Sequence, residues 1–289
     1  MTNLSWILSC LLVGSLIPDK PAYQIFNKTG QIVSYDSMIQ ELTEAEVVLF
    51  GEVHNDALVH WLELQVAQDL YNQDSNVVLG FEMLEADNQL IINEYLTSVV
   101  EERHFTQEAK LWDNHATDYQ PLVDWAKEKN TSVIATNIPR RYASLVSREG
   151  INQLDSLSEE AKQWIAPLPV NIDMELPGYQ NMLSMMGGMQ GHSGMSGENM
   201  VQAQAIKDAT MAHFIVQNLP HNGVFIHYNG SYHSDNFEGI GWYLQQQQPE
   251  LSIKTISCIE LPSLDSLNED AQGLADFIIV TPTDMTKTY

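Results

Sequence analysis

Cysteine is scarce, basic side chains are few, and no apolar run is long enough to span a bilayer. The 289-residue chain has 2 cysteines, Cys10 and Cys258, too few for a disulfide framework. Cys258 falls in a predicted strand, Ser252–Leu261, where a buried, inert thiol is expected. Lys and Arg number 13 against 38 Asp and Glu, a formal net charge of −25. Such a field repels phosphate backbones, and no basic stripe interrupts it, so nucleic acid is excluded as a partner. Also absent are Cys-x-x-Cys-His, Gly-x-Ser-x-Gly, His-Glu-x-x-His and a Walker loop. Covalent cytochrome-type attachment, serine hydrolysis, zincin chemistry and nucleoside-triphosphate cleavage thus lack their usual residues.

The apolar run Leu4–Ile17 is 14 residues long and is closed by Pro18, Asp19 and Lys20. That is the length of a signal-peptide core, so residues 1–20 are expected to be a leader and the protein exported to the periplasm. No Lys or Arg precedes the run, and no Ala-x-Ala site follows it. Ile7-Leu8-Ser9-Cys10 resembles a bacterial lipoprotein box, and lipid on Cys10 would anchor the protein to the outer membrane. Any membrane contact is expected through that anchor alone. An N-terminal core helix is the competing reading.

Beyond the leader, 44% hydrophobic content predicts a single folded α/β domain over residues 21–289. Short apolar runs at Glu46–Phe50, Asn76–Phe81, Thr131–Thr136, Gly223–Tyr228, Ser252–Leu261 and Asp276–Thr281 read as about six core strands. Helical spacing of Leu58, Trp61, Leu62, Val66 and Leu70, with Asn55 or Asp56 as cap, makes the first two strands a βαβ unit of adjacent parallel strands. The expected architecture is a mainly parallel or mixed central sheet covered by helices. Residues 137–222 break the rhythm and read as a helical and loop insertion acting as a lid. Within it, Met182–Met200 carries six methionines, five glycines and His192. Trp61, Trp112, Trp125 and Trp164 lie on helical patterns and are expected in the core. Tyr119 is expected either to pack there or to approach the crevice.

Polar residues gather where the strands end. Strand one runs into Gly51-Glu52-Val53-His54, strand two into Glu82, strand three into Asn137 and then Arg140 and Arg141, and strand four into Gly230-Ser231-Tyr232-His233. The carboxyl ends of parallel strands form the crevice of an open sheet, so Glu52, His54, Glu82, Arg140 and His233 are predicted to share one rim. The spacing Gly-x-x-His occurs at both Gly51–His54 and Gly230–His233. In each, glycine would let the chain turn off the strand and histidine would point back over the rim. Glu52, His54, Glu82 and His233 supply the N and O donors that suit a divalent first-row metal, or a histidine base with carboxylate partners.

The blocks VVLFGEVHND, VVLGFEML, NIPRRYASLVSREGI, QAQAIKDATMAHFI, HYNGSYHSD and ADFIIVTP resemble, in that order, the ChaN family of haem-binding, iron-regulated proteins within the Tiki, TraB and erythromycin-esterase superfamily. The resemblance runs from about residue 30 to residue 282. It implies an exported haem-binding protein that handles or takes up iron, holding porphyrin between two monomers with a tyrosine on the iron. Tyr179 and His192, flanking the Met-rich stretch, are the candidate haem ligands. The Tiki and esterase branches imply instead a metal-dependent peptidase or esterase working through Glu52, His54, Glu82, His233 and Arg140. A third reading places a soft metal such as copper on Met185, Met186, Met189, Met195 and His192.

Overall fold

Strand β3 (Val47–Glu52) is buried at every position and lies inside an eight-stranded sheet. The others are β1 (Gln24–Asn27), β2 (Ile32–Val33), β4 (Asn76–Glu85), β5 (Ser132–Asn137), β6 (Gly223–Gly230), β7 (Ile253–Leu261) and β8 (Phe277–Pro282). The computed structural model describes residues 20–73, 76–187 and 196–289. Their order across the sheet is β2-β1-β8-β7-β3-β6-β4-β5. From β8 to β5 every neighbouring pair is parallel, and the two antiparallel pairs, β1 with β8 and β1 with β2, lie at one edge. The expected mainly parallel α/β sheet is therefore what forms. The hairpin is an addition: QIFN and IV are too short and too mixed to stand out as strands.

One expectation is corrected. β3 and β4 are parallel but not adjacent, because β6 lies between them, paired to both. The order in which successive strands are laid across the sheet therefore reverses between β3 and β6, the kind of switch point that opens a crevice at the strand ends.

Alternate residues of each strand feed two separate cores, as the two-residue period of a strand requires. Val48, Phe50, Leu79, Phe81, Ile226 and Tyr228 pack under the helices Ala57–Asn72 and Gln120–Lys129. Val47, Leu49, Val78 and Phe225 pack under Arg140–Glu149, Gly197–Gln217 and Ile240–Gln247. The segment expected to act as a lid thus also builds the second helical layer. Edge strand β5 is covered by Gln89, whose side chain accepts from Ala135 N at 2.7 Å and donates to Val133 O at 2.8 Å. That satisfies backbone groups that would otherwise invite another strand.

Two further corrections concern side chains. Trp61 is exposed rather than core, and Trp112 and Trp164 are only partly buried, leaving Trp125 as a buried indole. The Met-rich stretch is helical at both described ends, Pro177–Gly187 and Gly197–Gln217. His192, Met189 and Met195 lie outside the described residues, as does the leader through Asp19. Met185 is exposed. No helix among the described residues is long and apolar enough to cross a membrane.

Candidate functional site

The two Gly-x-x-His motifs meet at the rim, but their glycines act by close approach rather than by turning. Gly230 has φ −55°, and neither Gly51 nor Gly230 has a positive φ. A Cβ on Gly51 would sit 2.9 Å from Ile256 O and 2.9 Å from Ser231 Cα, so a methyl there meets backbone that has nowhere to go. A Cβ on Gly230 would sit 2.7 Å from His54 Nε2 and 3.6 Å from a Glu82 oxygen. The missing side chain of the second motif is therefore the space in which the first motif's histidine lies.

Glu52 ends β3 with its carboxylate buried. Its Oε1 meets His54 Nδ1 at 2.6 Å and accepts the Tyr119 hydroxyl at 2.6 Å. Its own burial opposes ionisation, yet His54, the neighbouring Glu63 carboxyl and His60 hold Glu52 below the ordinary carboxylate value. His54 rests edge-on against Trp112, with ring centroids 4.9 Å apart. Burial works against its protonation, but Glu52 and Glu82 raise His54 above the ordinary histidine value.

A second chain of buried polar groups runs from Glu82. Its Oε2 accepts Gly230 N–H at 2.8 Å, and its Oε1 lies 3.2 Å from His233 Nε2. The other ring nitrogen of His233 pairs with Asp208, whose second oxygen accepts the Tyr179 hydroxyl at 2.9 Å. His233 is thus clamped between two carboxylates. Burial opposes its charge, but Glu82 and Asp208 outweigh burial and carry its pKa to about 10. Burial would lift Glu82, but His233, His54 and the Gly230 N–H bring it down to about 2.

Beneath Glu52 lies a third cluster on the helix Ala57–Asn72, capped by Asp56, whose carboxylate accepts Leu58 N at 2.9 Å. His60 Nδ1 is 3.0 Å from Glu63 Oε2 and 3.8 Å from Glu52 Oε2. Its Nε2 faces His54 O at 3.1 Å and Asp118 at 3.4 Å.

The predicted rim residues Glu52, His54, Glu82 and His233 therefore come together, as two hydrogen-bonded pairs side by side. Arg140 lines a cleft of about 740 Å³ together with Glu82 and Asn137. Tyr179 is a correction: at 3% exposure its hydroxyl is spent on Asp208, so it is a buried support for His233 and not an open ligand for iron. Residues not singled out from sequence complete the site. Asp208, His60 and Glu63 are charged groups inside otherwise apolar helical faces, which is the signal that marks them. The chain after β8 returns over the rim: Thr288 donates from its backbone to Asn55 O at 3.0 Å and from its hydroxyl to Asp118 at 2.7 Å. Lys287 pairs with Glu260. This tail sets Tyr289, 67% exposed, on the wall of the cleft.

Met83, Leu111, Trp112 and Ile138 give that cleft apolar walls. Lys110, Arg140 and Lys207 add cations, three of only 13 in the chain. Lys110 is engaged by Glu85 at 3.2 Å, whereas Arg140 and Lys207 form no ion pair among the described residues.

Adding a methyl at Gly230 tests the rim directly. In Gly230→Ala, the tip of His54 must leave its place, which a side chain 34% exposed is free to do. The fold is expected to survive, and the His54 pKa to fall back toward about 6.5 as Glu52 and Glu82 recede. An imidazole NMR titration checks this; an unmoved pKa would mean that Gly230 does not seat the ring.

A three-layer α/β domain with a Glu/His rim at the carboxyl ends of its strands is the class of protein defined here. Residues 38–244 match the family described as haem-binding uptake, Tiki superfamily, ChaN, and the chain belongs to that family. Among solved structures it is similar to ChaN of Campylobacter jejuni, described for its cofacial haem binding, at TM-score 0.67 and 17% identity, covering 90% of this chain and 96% of that one. The type III effector HopBA1 is more distant, at TM-score 0.48 and 13% identity over 86% of this chain and 92% of its own. The erythromycin esterase EreC stands at TM-score 0.45 and 12% identity over 90% and 83%. The chain matches no curated protein by sequence.

Proposed function

We propose that the protein binds haem in the cleft beside the rim and serves in haem or iron uptake as an exported protein. The observation that carries the site is the pairing of apolar walls with the two uncommitted cations, Arg140 and Lys207, in a chain of net charge −25. A planar apolar ring bearing two carboxylates would suit that surface: Leu111, Trp112 and Ile138 would pack the ring, and the cations would take the carboxylates. About 740 Å³ lies within the range of pockets that hold ligands of this size. Tyr289, on the wall of the cleft, would offer its phenol as an iron ligand. The residues of the cleft fit the group they would hold, and the iron–porphyrin itself supplies any ligand or redox chemistry. Family membership supports this reading, and the cofacial haem binding of the Campylobacter protein supports a homodimer. Export and lipid anchoring rest on the apolar run Leu4–Ile17 and on Cys10.

Hemin added to the purified chain is expected to give a saturable, shifted Soret band. Tyr289→Phe is expected to alter the band while leaving the fold intact, because the residue is exposed. A hemin response no greater than that of an unrelated acidic protein would remove the proposal.

One observation favours a second reading, a hydrolase. His54 is paired through Nδ1 to buried Glu52 while its other nitrogen lies beside Gly230 at the rim, the arrangement of an oriented general base. Glu82 and His233 would then hold the substrate or a divalent metal. Ester or peptide cleavage abolished by His54→Ala would establish it.

A further inference from the structure

We infer that Glu52, His60 and Glu63 form a divalent-metal site under the rim, separate from the haem cleft. The donor atoms of these three residues lie within 4.8 Å of one another, and all three are buried. Among the described residues, no other set of three or more His, Cys, Asp or Glu converges in this way.

Two buried oxygens in the cluster have no hydrogen-bond partner. Glu52 Oε1 is taken by His54 and Tyr119, but Glu52 Oε2 is unpaired. Glu63 Oε2 faces His60, but Glu63 Oε1 is unpaired. A buried carboxylate oxygen left without a donor is costly, and two of them around one imidazole call for a cation.

The imidazole is oriented to supply the third ligand. His60 Nε2 faces a backbone carbonyl at 3.1 Å and Asp118 Oδ2 at 3.4 Å. Asp118 Oδ2 already accepts from Asn114 at 2.7 Å and from Thr288 at 2.7 Å, so it offers no proton. Nε2 therefore carries a hydrogen, and once an ion displaces the proton that Glu63 and Glu52 hold on His60, the lone pair of Nδ1 lies between Glu52 and Glu63. An outer partner that fixes the tautomer of a metal-binding histidine in this way is a regular feature of such sites. The spacings also suit a metal. His60 Nδ1 stands 3.0 Å from Glu63 Oε2 and 3.8 Å from Glu52 Oε2. Ligands about 2.1 Å from a shared ion lie roughly 3.0–3.5 Å apart, so a small shift of Glu52 closes the set. One nitrogen and two carboxylates select a divalent first-row ion such as Mn²⁺ or Zn²⁺.

The Glu52–His54 pair would hang from this ion through its second carboxylate oxygen, which ties the rim to the helix Ala57–Asn72. The inference does not rest on haem binding, and its test contains no haem. Full-length chain purified without chelator is expected to carry about one equivalent of Mn or Zn by elemental mass spectrometry. Metal-stripped protein is expected to melt about 5 °C or more higher once Mn²⁺ or Zn²⁺ is added. Glu63→Gln should lose both properties yet melt no lower than stripped wild type, since it relieves the facing carboxylates. Glu82→Gln, on the rim, should keep both.

The contrary results are equally definite. Metal-free wild type with a melting temperature indifferent to EDTA, Mn²⁺ and Zn²⁺ would show that the two carboxylates share a proton instead, and would overturn the inference whatever the variants do. Metal kept by Glu63→Gln but lost by Glu82→Gln would move the ion to the rim and overturn it as well.

Discussion

Hemin affinity is expected to fall roughly 30–100-fold in the double variant Arg140→Gln, Lys207→Gln, a loss of about 2–3 kcal/mol. Each cation is expected to contribute a charge-assisted contact to a carboxylate of the porphyrin, worth about 1–1.5 kcal/mol once the ring shields it from water. Neutral glutamine removes the charge while keeping a polar end and part of the aliphatic stem. Neither residue forms an ion pair among the described residues, so stability is expected to stay within about 0.5 kcal/mol of wild type. High salt should weaken wild-type binding and leave the variant nearly indifferent. A hemin titration at two ionic strengths reads both effects. Equal affinities for wild type and variant would place the ligand elsewhere.

His233→Ala is expected to destabilise the fold by about 3–5 kcal/mol near neutral pH, measured by urea unfolding. The imidazolium lies between Glu82 and Asp208 with all three buried, and its loss leaves two carboxylates facing one another. The deficit should shrink in acid, because burial already raises the Asp208 carboxyl and protonation relieves the repulsion. In wild type the sign is set by His233 itself. Its pKa, about 10, lies above the unfolded value of about 6.5, so its contribution is complete below pH about 6.5 and is lost as pH rises through about 10. His115 and His227 act in the opposite sense. Burial holds each at about 4, so their neutral forms favour the fold above pH about 6.5 and cost stability as pH falls through about 4. Stability should therefore decline on both sides of a maximum near neutrality. A flat alkaline limb would show that His233 is not held as a cation.

The strands and the rim were legible in the sequence for one physical reason. Runs such as VVLF and GVFIHY read as strands because they are almost wholly apolar, and parallel strands deliver whatever follows them to a common edge. Glu52, His54, Glu82 and His233 could thus be grouped without knowing which strands pair. The pairing itself was not legible. β6 slots between β3 and β4 from about 140 residues downstream of β4, and no local pattern records so distant a contact. The glycines of the two motifs were read for the wrong property. Flexibility is visible in sequence as glycine, but the contact that forbids a Cβ, Ile256 O for Gly51 and His54 for Gly230, exists only in the fold.

Groups supporting the site were harder to see. Asp208 sits in a helix that reads as core, and its worth depends on His233 arriving 25 residues later beside it. Tyr119 is expected from its surroundings to pack, with the crevice as the alternative, and does both, buried with its hydroxyl on Glu52. Tyr179 drew notice for a real reason, a tyrosine close to the Met-rich stretch, but the helix Pro177–Gly187 turns it inward against Asp208. Tyr289 had no motif around it, since the tail is held by a few scattered contacts of Lys287 and Thr288.

Hydrogen exchange on the full chain, with and without one equivalent of hemin, tests the location of the ligand most directly. Protection should concentrate in segments 82–85, 110–114 and 137–143 of the cleft, around Lys207, and in the tail ending at Tyr289. Hemin that binds while those amides exchange at unchanged rates would contradict a haem site beside the rim.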